Sequence, residues 1–345
     1  MKLMVDDAVW GFNKIFSEFG EVVTLPGRDI SRESLLDCDM LIVRSRTQVN
    51  QELLEGTKIS FVGSTVAGLD HIDESYLYKN NIAFSSAQGC NANAVAEYVI
   101  SALANLAHDY CFNLTEKSLG IIGVGNVGRR LDFKARQLGM TTLLNDPPRE
   151  EKEGADGYVS LEKALSADIV TFHTPLTNNG PYPTHNLLGS QNFNLITEDT
   201  ILINAARGGI IDEAIWETIN TKANIIDCWE NEPNINRTLQ KSAYWSTPHI
   251  AGHSIDAKFM GSFMIYKELC KFTQKPMNSE VETLINRESM VIEEKTLHAT
   301  LNSIYSFKDD DEVISDISKF EDYRRNYPER FEWHHFKTQF DIPRK

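Results

Sequence analysis

Cysteine is scarce in this chain. Five occur in 345 residues, Cys38, Cys90, Cys111, Cys228 and Cys270, widely spaced, with no C-x-x-C pair. An odd, scattered set argues against a disulfide framework or a zinc site, so no metal is expected, and a reducing compartment fits best. Long apolar runs are missing too: none approaches the roughly 20 residues that span a bilayer. Met1–Val5 runs straight into Asp6-Asp7 and has no signal-peptide core, so a cytoplasmic protein without a membrane partner is expected. Basic charge is short, with 34 Lys and Arg against 49 Asp and Glu and a net charge of −15. That argues against a nucleic-acid partner, and an anionic ligand then needs a locally basic pocket. Internal repeats of solenoid length and long low-complexity segments are also lacking.

What is present is a soluble, globular composition, 41% apolar and 24% charged, too long for one ordinary core. The most informative stretch is Gly123-Val124-Gly125-Asn126-Val127-Gly128. It follows the apolar Leu119–Ile122, precedes a helix-like stretch from Arg129 to Leu138, and is followed by a second apolar run that ends at Asp146. Strand, Gly-x-Gly-x-x-Gly, helix, strand and acid form the dinucleotide fingerprint. The glycines allow a tight turn and bring the backbone of Asn126 and Val127 to a pyrophosphate at a helix N-terminus. Asp146 favours NAD over NADP, because a carboxylate accepts from ribose hydroxyls and repels a 2′-phosphate; Arg149 is the one nearby residue that complicates this.

More than a hundred residues precede this loop. They alternate strands (1–5, 40–43, 59–62, 82–84) with helices (11–19, 92–107), an α/β pattern of its own. A second α/β pattern runs from Ser118 through strands at 169–172, 201–203 and 224–227. Helical character returns at 256–274 and is able to rejoin the first part. After a break at 276–279, the tail holds an acidic run, Asp309–Glu312, which reads as a solvated loop. It also holds an aromatic stretch from Phe320 to Phe336, which needs burial against another domain or subunit.

Three later strands end in polar groups, where ligands bind in a parallel sheet. Oxidising a hydroxy acid needs a cation for the carboxylate, a base for the hydroxyl proton and an acid to orient that base. Arg207, His249 and Glu232 fill these roles. Singly each has a plainer reading, as a structural ion pair, a turn histidine and a loop acid; their joint placement after a nucleotide fold favours the catalytic one.

Ala206-Arg207-Gly208, Asp227-Cys228-Trp229-Glu230-Asn231-Glu232-Pro233 and Thr247-Pro248-His249-Ile250-Ala251-Gly252 resemble the signatures of the D-isomer-specific 2-hydroxyacid dehydrogenases. The resemblance implies a Rossmann-type, doubly wound NAD-binding domain (93–254) inserted into a flavodoxin-like α/β substrate domain (1–92 and 255–285). It implies catalytic Arg207, Glu232 and His249. It also implies a cofactor site of Gly123, Gly125, Asn126, Val127, Gly128, Asp146, Thr174, Ala205, Asp227 and Gly252.

Further matches, among them Gly89-Cys90-Asn91-Ala92, Asp146-Pro147-Pro148 and Tyr323–Trp333, are similar to members with a small C-terminal α+β dimerisation domain, here 286–345, and a phosphorylated hydroxy-acid substrate. A homodimer through that tail is implied. Ser45 matches a substrate position, and Arg44 and Arg46 beside it offer charge for the phosphate. Two positions depart from the pattern. Val66, next to Thr65, replaces a threonine, and His253 replaces a tyrosine at a substrate position. Two other readings use the same residues: a phosphoglycerate-type dehydrogenase, against which the tail argues by lacking an ACT-like βαββαβ pattern, and a non-enzymatic NAD-sensing binding protein.

Overall fold

The computed structural model describes residues 1–344. The chain divides into two compact units. One is Met1–Asn91 with His253–Glu288; the other is Ala92–Gly252 with the residues from Ser289 onward.

The first unit is built on five parallel strands, β1 (Lys2–Asp6), β2 (Glu21–Leu25), β3 (Met40–Val43), β4 (Phe61–Ser64) and β5 (Ala83–Ser86), in the order β2-β1-β3-β4-β5. This is the flavodoxin-like order. The central strand β3 is apolar throughout, and β1 is apolar over residues 3–5, because both faces are covered. Leu3, Val5 and Ile42 pack on one side with Ile265 and Leu269 of the helix Ile255–Thr273. Met4, Leu41 and Val43 pack on the other with Leu35 and Leu54. Strand β2 is absent from the sequence reading, although Val22, Val23 and Leu25 favour a strand; it is an edge strand whose residues stay partly exposed.

The second unit has six parallel strands, β6 (Ser118–Ile122), β7 (Thr141–Asn145), β8 (Ile169–Phe172), β9 (Ile201–Asn204), β10 (Ala223–Ile226) and β11 (Trp245–Ser246), in the order β11-β10-β9-β8-β6-β7. From β7 the chain crosses back over β6 to β8, so the strand order reverses between β6 and β8. In an open parallel sheet that reversal opens a crevice at the strand C-termini.

The tail packs on this same unit. A two-stranded parallel pair, β12 (Met290–Ile292) and β13 (Phe336–Thr338), accompanies three short helices. Phe307, Tyr327 and Trp333 are buried in one cluster with Tyr98 and Val99 of the helix Ala92–Asp109. The aromatic stretch is therefore buried within its own unit. Lys134 is wholly buried; its Nζ donates to the Pro343 carbonyl at 2.9 Å, lies 3.6 Å from Glu97 and sits 4.7 Å over the Trp333 ring.

The acidic run is not a solvated loop. It lies in the helix Lys308–Ile314, whose first turn takes the negative charges at its electropositive end. Asp310 is buried and accepts from the hydroxyls of Tyr305, Tyr323 and Tyr327 at 2.6–2.8 Å. Asp311 accepts from Ser246 N and Oγ at 2.7 and 2.8 Å. Composition alone does not show such long-range partners. Among the described residues no helix is long and apolar enough to cross a membrane.

Asp168 ties the starts of β6 and β8 together. It accepts from Ser118 N and Oγ (2.9 and 2.6 Å) and from Lys117 Nζ (3.0 Å). Burial raises its carboxyl, but the Ser118 hydrogen bonds and Lys117 outweigh this and lower it to about 2. An unfolded Asp titrates at about 3.9, so the clamp stabilises the fold above that value and is lost as pH falls through the lower one. Asp168→Asn is expected to lower the melting temperature at neutral pH. The gap to the parent should close as the pH is taken from about 4 towards about 2; a gap that stays constant in thermal scans across that range contradicts the electrostatic account.

Candidate active site

The glycine loop sits at the strand reversal of the second unit. Gly123 has φ +91°, and a Cβ there would lie 2.7 Å from the His173 carbonyl carbon, so the loop passes against the chain leaving β8 as only glycine can. A Cβ on Gly128 would lie 2.2 Å from the Gly123 oxygen, which lets the helix Asn126–Gln137 start hard against β6. Gly125 faces open space: a Cβ there meets nothing within 4 Å. The first-turn N–H groups of this helix, including those of Asn126 and Val127, have no partner inside it.

Asp146 ends the next strand. It accepts from Val124 N at 2.8 Å and caps the helix Pro147–Glu153 through Arg149 N at 3.2 Å. The Arg149 guanidinium is held 3.9 Å from Asp146 and 2.5 Å from Glu153, so its charge is already matched. After β8, Thr174 Oγ1 and His173 Nδ1 are buried without a protein partner. Burial keeps the His173 imidazole neutral by lowering its pKa. An open glycine cradle, unspent helix N–H groups and orphaned polar atoms on the chain that the loop passes fit a dinucleotide.

On the other side of the crossover, β10 ends at Asp227. This residue is fully engaged by the protein. Its carboxylate accepts from Thr247 Oγ1 (2.7 Å), Ile250 N (2.7 Å) and Ala251 N (3.0 Å), and its carbonyl accepts from His249 N (2.8 Å). Burial raises the Asp227 carboxyl, opposed by His249 and by those donors, and the net shift is upward. The bonds fasten the turn in which His249 adopts φ +54°, a left-handed conformation that a histidine holds only under constraint.

His249 Nδ1 donates to both oxygens of Glu232, at 3.0 and 2.9 Å. Glu232 Oε1 also accepts from Trp229 N at 3.0 Å. Burial would raise the Glu232 carboxyl, but the charge and hydrogen bond of His249, then Arg324, outweigh it, and the net shift is downward. Cys228 Sγ completes a cluster with Glu232 and His249 whose donor atoms lie within 4.8 Å of one another. Its thiol is pushed well up by burial, which leaves it protonated.

Arg207 follows β9, half-buried, with Nη1 donating to Ala206 O at 2.8 Å. Gly208 lets its loop close on the Glu232 loop: a Cβ there would lie 2.0 Å from the Trp229 carbonyl oxygen. Arg324 approaches the cluster from the tail, with its Nη1 3.7 Å from Glu232 Oε2. Ala205, buried, and Gly252, half-buried, flank these turns.

The remaining candidates belong to the first unit. Ser45 is exposed after β3, and Arg44 donates to the Ala8 carbonyl at 3.3 Å. Arg46 lines a groove of about 480 Å³ that also holds Arg28, Arg32, Thr47 and Gln48. Thr65, next to Val66, is buried and donates to the Val43 carbonyl at 3.3 Å. His253 is half-buried, one residue before Ser254, which caps the helix Ile255–Thr273. Sequence reasoning missed the bracing by Asp227 and the approach of Arg324. Nothing in the local pattern around Tyr323-Arg324-Arg325 signals a partner on a distant loop.

Comparison with known proteins settles the family. Residues 95–251 match the model of the D-isomer specific 2-hydroxyacid dehydrogenase, NAD binding domain. Erythronate-4-phosphate dehydrogenase of Ruthia magnifica is 56% identical over 99% of this chain and 99% of that protein. The enzyme of the same name from Hydrogenovibrio crunogenus is 51% identical over 96% of this chain and 92% of its own length. The chain belongs to the erythronate-4-phosphate dehydrogenase family. In fold it is similar to the NAD⁺-bound 3-phosphoglycerate dehydrogenase of Entamoeba histolytica, with a TM-score of 0.67 at 24% identity over 83% of this chain and 99% of that one. NAD is the cofactor of the matched domain.

Two glycines separate binding from folding. Gly125→Ala is expected to keep the parent melting temperature and to weaken NADH binding about tenfold, because the methyl enters the space of the pyrophosphate. Gly128→Ala is expected to lower both. Equal NADH affinity of Gly125→Ala and the parent, by fluorescence titration, would remove the loop from the cofactor site.

Proposed function

We propose that this chain oxidises 4-phospho-D-erythronate at C2 to 2-oxo-3-hydroxy-4-phosphobutanoate with NAD, in pyridoxal 5′-phosphate (vitamin B6) biosynthesis, as a cytoplasmic homodimer joined through its tail. The observation that carries the chemistry is the His249–Glu232 pair in a Rossmann unit. Identity of 56% over nearly the whole chain supports the substrate.

The Nδ1–H of His249 is committed to Glu232, so Nε2 is the nitrogen left to take the C2 hydroxyl proton. As that proton arrives, the carboxylate of Glu232 stabilises the imidazolium and keeps the ring in one tautomer. Arg207 holds the substrate carboxylate with a bidentate fork. Arg44 and Arg46, beside Ser45, supply positive charge for the phosphate against the net charge of −15. His253 stands where a substrate hydrogen bond is expected. Gly125, Asn126 and Val127 would hold the pyrophosphate of NAD, Asp146 would hold its ribose, and Thr174, Ala205 and Gly252 would line the nicotinamide side. NAD, when bound, supplies the hydride acceptor for the C2 hydrogen. Asp227 serves this site by holding the His249 turn.

His249→Asn is expected to lower kcat by about 10² to 10⁴ while NADH still binds; turnover near that of the parent removes His249 from the chemistry. In the parent, NADH formation should be fast with 4-phospho-D-erythronate and weak with D-erythronate or 3-phospho-D-glycerate. Preference for phosphoglycerate would move the chain to that class of dehydrogenase, and NADH binding without turnover on any hydroxy acid would make it a sensor. Light scattering on the eluted protein tests the dimer.

A further inference from the structure

The tail carries an arginine to the Glu232–His249 pair. The helix Phe320–Arg325 starts at Phe320, which is wholly buried in the cluster that also holds Trp229 and Ile235, the apolar residues on either side of Glu232. The chain before it is fastened by Arg237, whose guanidinium donates to the carbonyls of Ile314 (2.9 Å) and Ser315 (2.7 Å). Tyr323 is held by Asp310 at 2.7 Å. Fixed on both sides, Arg324 reaches Glu232: its Nη1 lies 3.7 Å from Oε2, the oxygen that accepts from His249 Nδ1 at 2.9 Å. The contact is an ion pair rather than a hydrogen bond. Both side chains are largely shielded, 23% and 19% exposed, so solvent screens it less than a surface pair. Arg324 Nε is buried without a partner, which shows that this guanidinium is not held there by a full set of hydrogen bonds.

We propose that Arg324 is a positioning residue that acts on the reaction through Glu232. The inference rests on the reading of Glu232 and His249 as catalytic machinery. A guanidinium never loses its proton in a protein. It therefore keeps Glu232 an anion, and an acceptor only, whether or not His249 carries the substrate proton. With the charge removed, burial favours a neutral carboxyl that donates as well as accepts, and the imidazole loses its fixed partner. On this account the tail contributes to turnover within its own subunit, besides any role in assembly.

A double-mutant cycle tests this with the full chain, NAD and 4-phospho-D-erythronate. Arg324→Gln is expected to lower kcat about fivefold to twentyfold, with KM for NAD within about twofold. Placed on Glu232→Gln, the same change should cost less than about twofold, because the residue through which it acts is already neutral. Arg324→Lys, which keeps the charge, should stay within about threefold of the parent. Parent-like turnover of Arg324→Gln overturns the proposal, as does a loss of equal size in the Glu232→Gln background, which would put Arg324 on the substrate itself. If Arg324→Gln does not fold, Arg324→Lys decides: turnover near the parent supports the pair and a tenfold loss overturns it. Failure of the underlying reading appears separately, as a Glu232→Gln protein with parent-like turnover.

Discussion

The arrangement of the second unit hangs on one buried carboxylate. Asp227 ends β10 and spends both oxygens, and its carbonyl, on the turn that runs from Thr247 to Ala251. A histidine in a left-handed conformation is unfavourable by itself. Four hydrogen bonds from one residue over-determine the turn and hold His249 there. With His249 fixed, Glu232 can pair with it through both oxygens; with Glu232 fixed, Trp229 N and Arg324 have a defined anion to meet. His249 thus sits on a turn held by four hydrogen bonds, and the order of support runs from the sheet outward.

The site's charges are set by burial as much as by pairing. Neutral groups, the His173 imidazole and the Cys228 thiol, are the ones that burial strips of charge. Against burial, Glu232 is held below its ordinary pKa by His249 and Arg324 beside it. A strongly acidic protein that must admit two anions, a dinucleotide and a phosphorylated acid, benefits from this arrangement. The glycine loop offers backbone N–H groups for the first anion, which carry no countercharge to neutralise.

The tail is part of the same physics. Asp310 gathers three tyrosine hydroxyls, Asp311 takes the end of the sheet at Ser246, and Lys134 reaches Pro343 and Trp333 from the cofactor helix. Each is a buried polar contact that would be costly if left half made. Together they seat Phe320, and with it Arg324, on the core beneath the Glu232 loop.

The sequence by itself determined the parallel α/β sheets, through apolar runs such as Met40–Val43 and Ile169–Phe172, and the cofactor, through Gly123 to Gly128 and Asp146. Those signals are local: strand period, turn chemistry and a charge at a known offset. The residue types of the proposed catalytic set, Arg207, Glu232 and His249, were legible in the polar segments that follow apolar strands. Strand β2 was not read from the sequence, although its Val22, Val23 and Leu25 favour a strand, and the acidic run at 309–312 looked solvated because its tyrosine and serine partners are distant in sequence. Only tertiary structure decided that Asp227 is spent on the His249 turn, that Arg149 is already paired, and that Arg324 lies beside Glu232. These depend on which chain segments the folded core brings within a few ångströms of each other, and no local pattern encodes that distance.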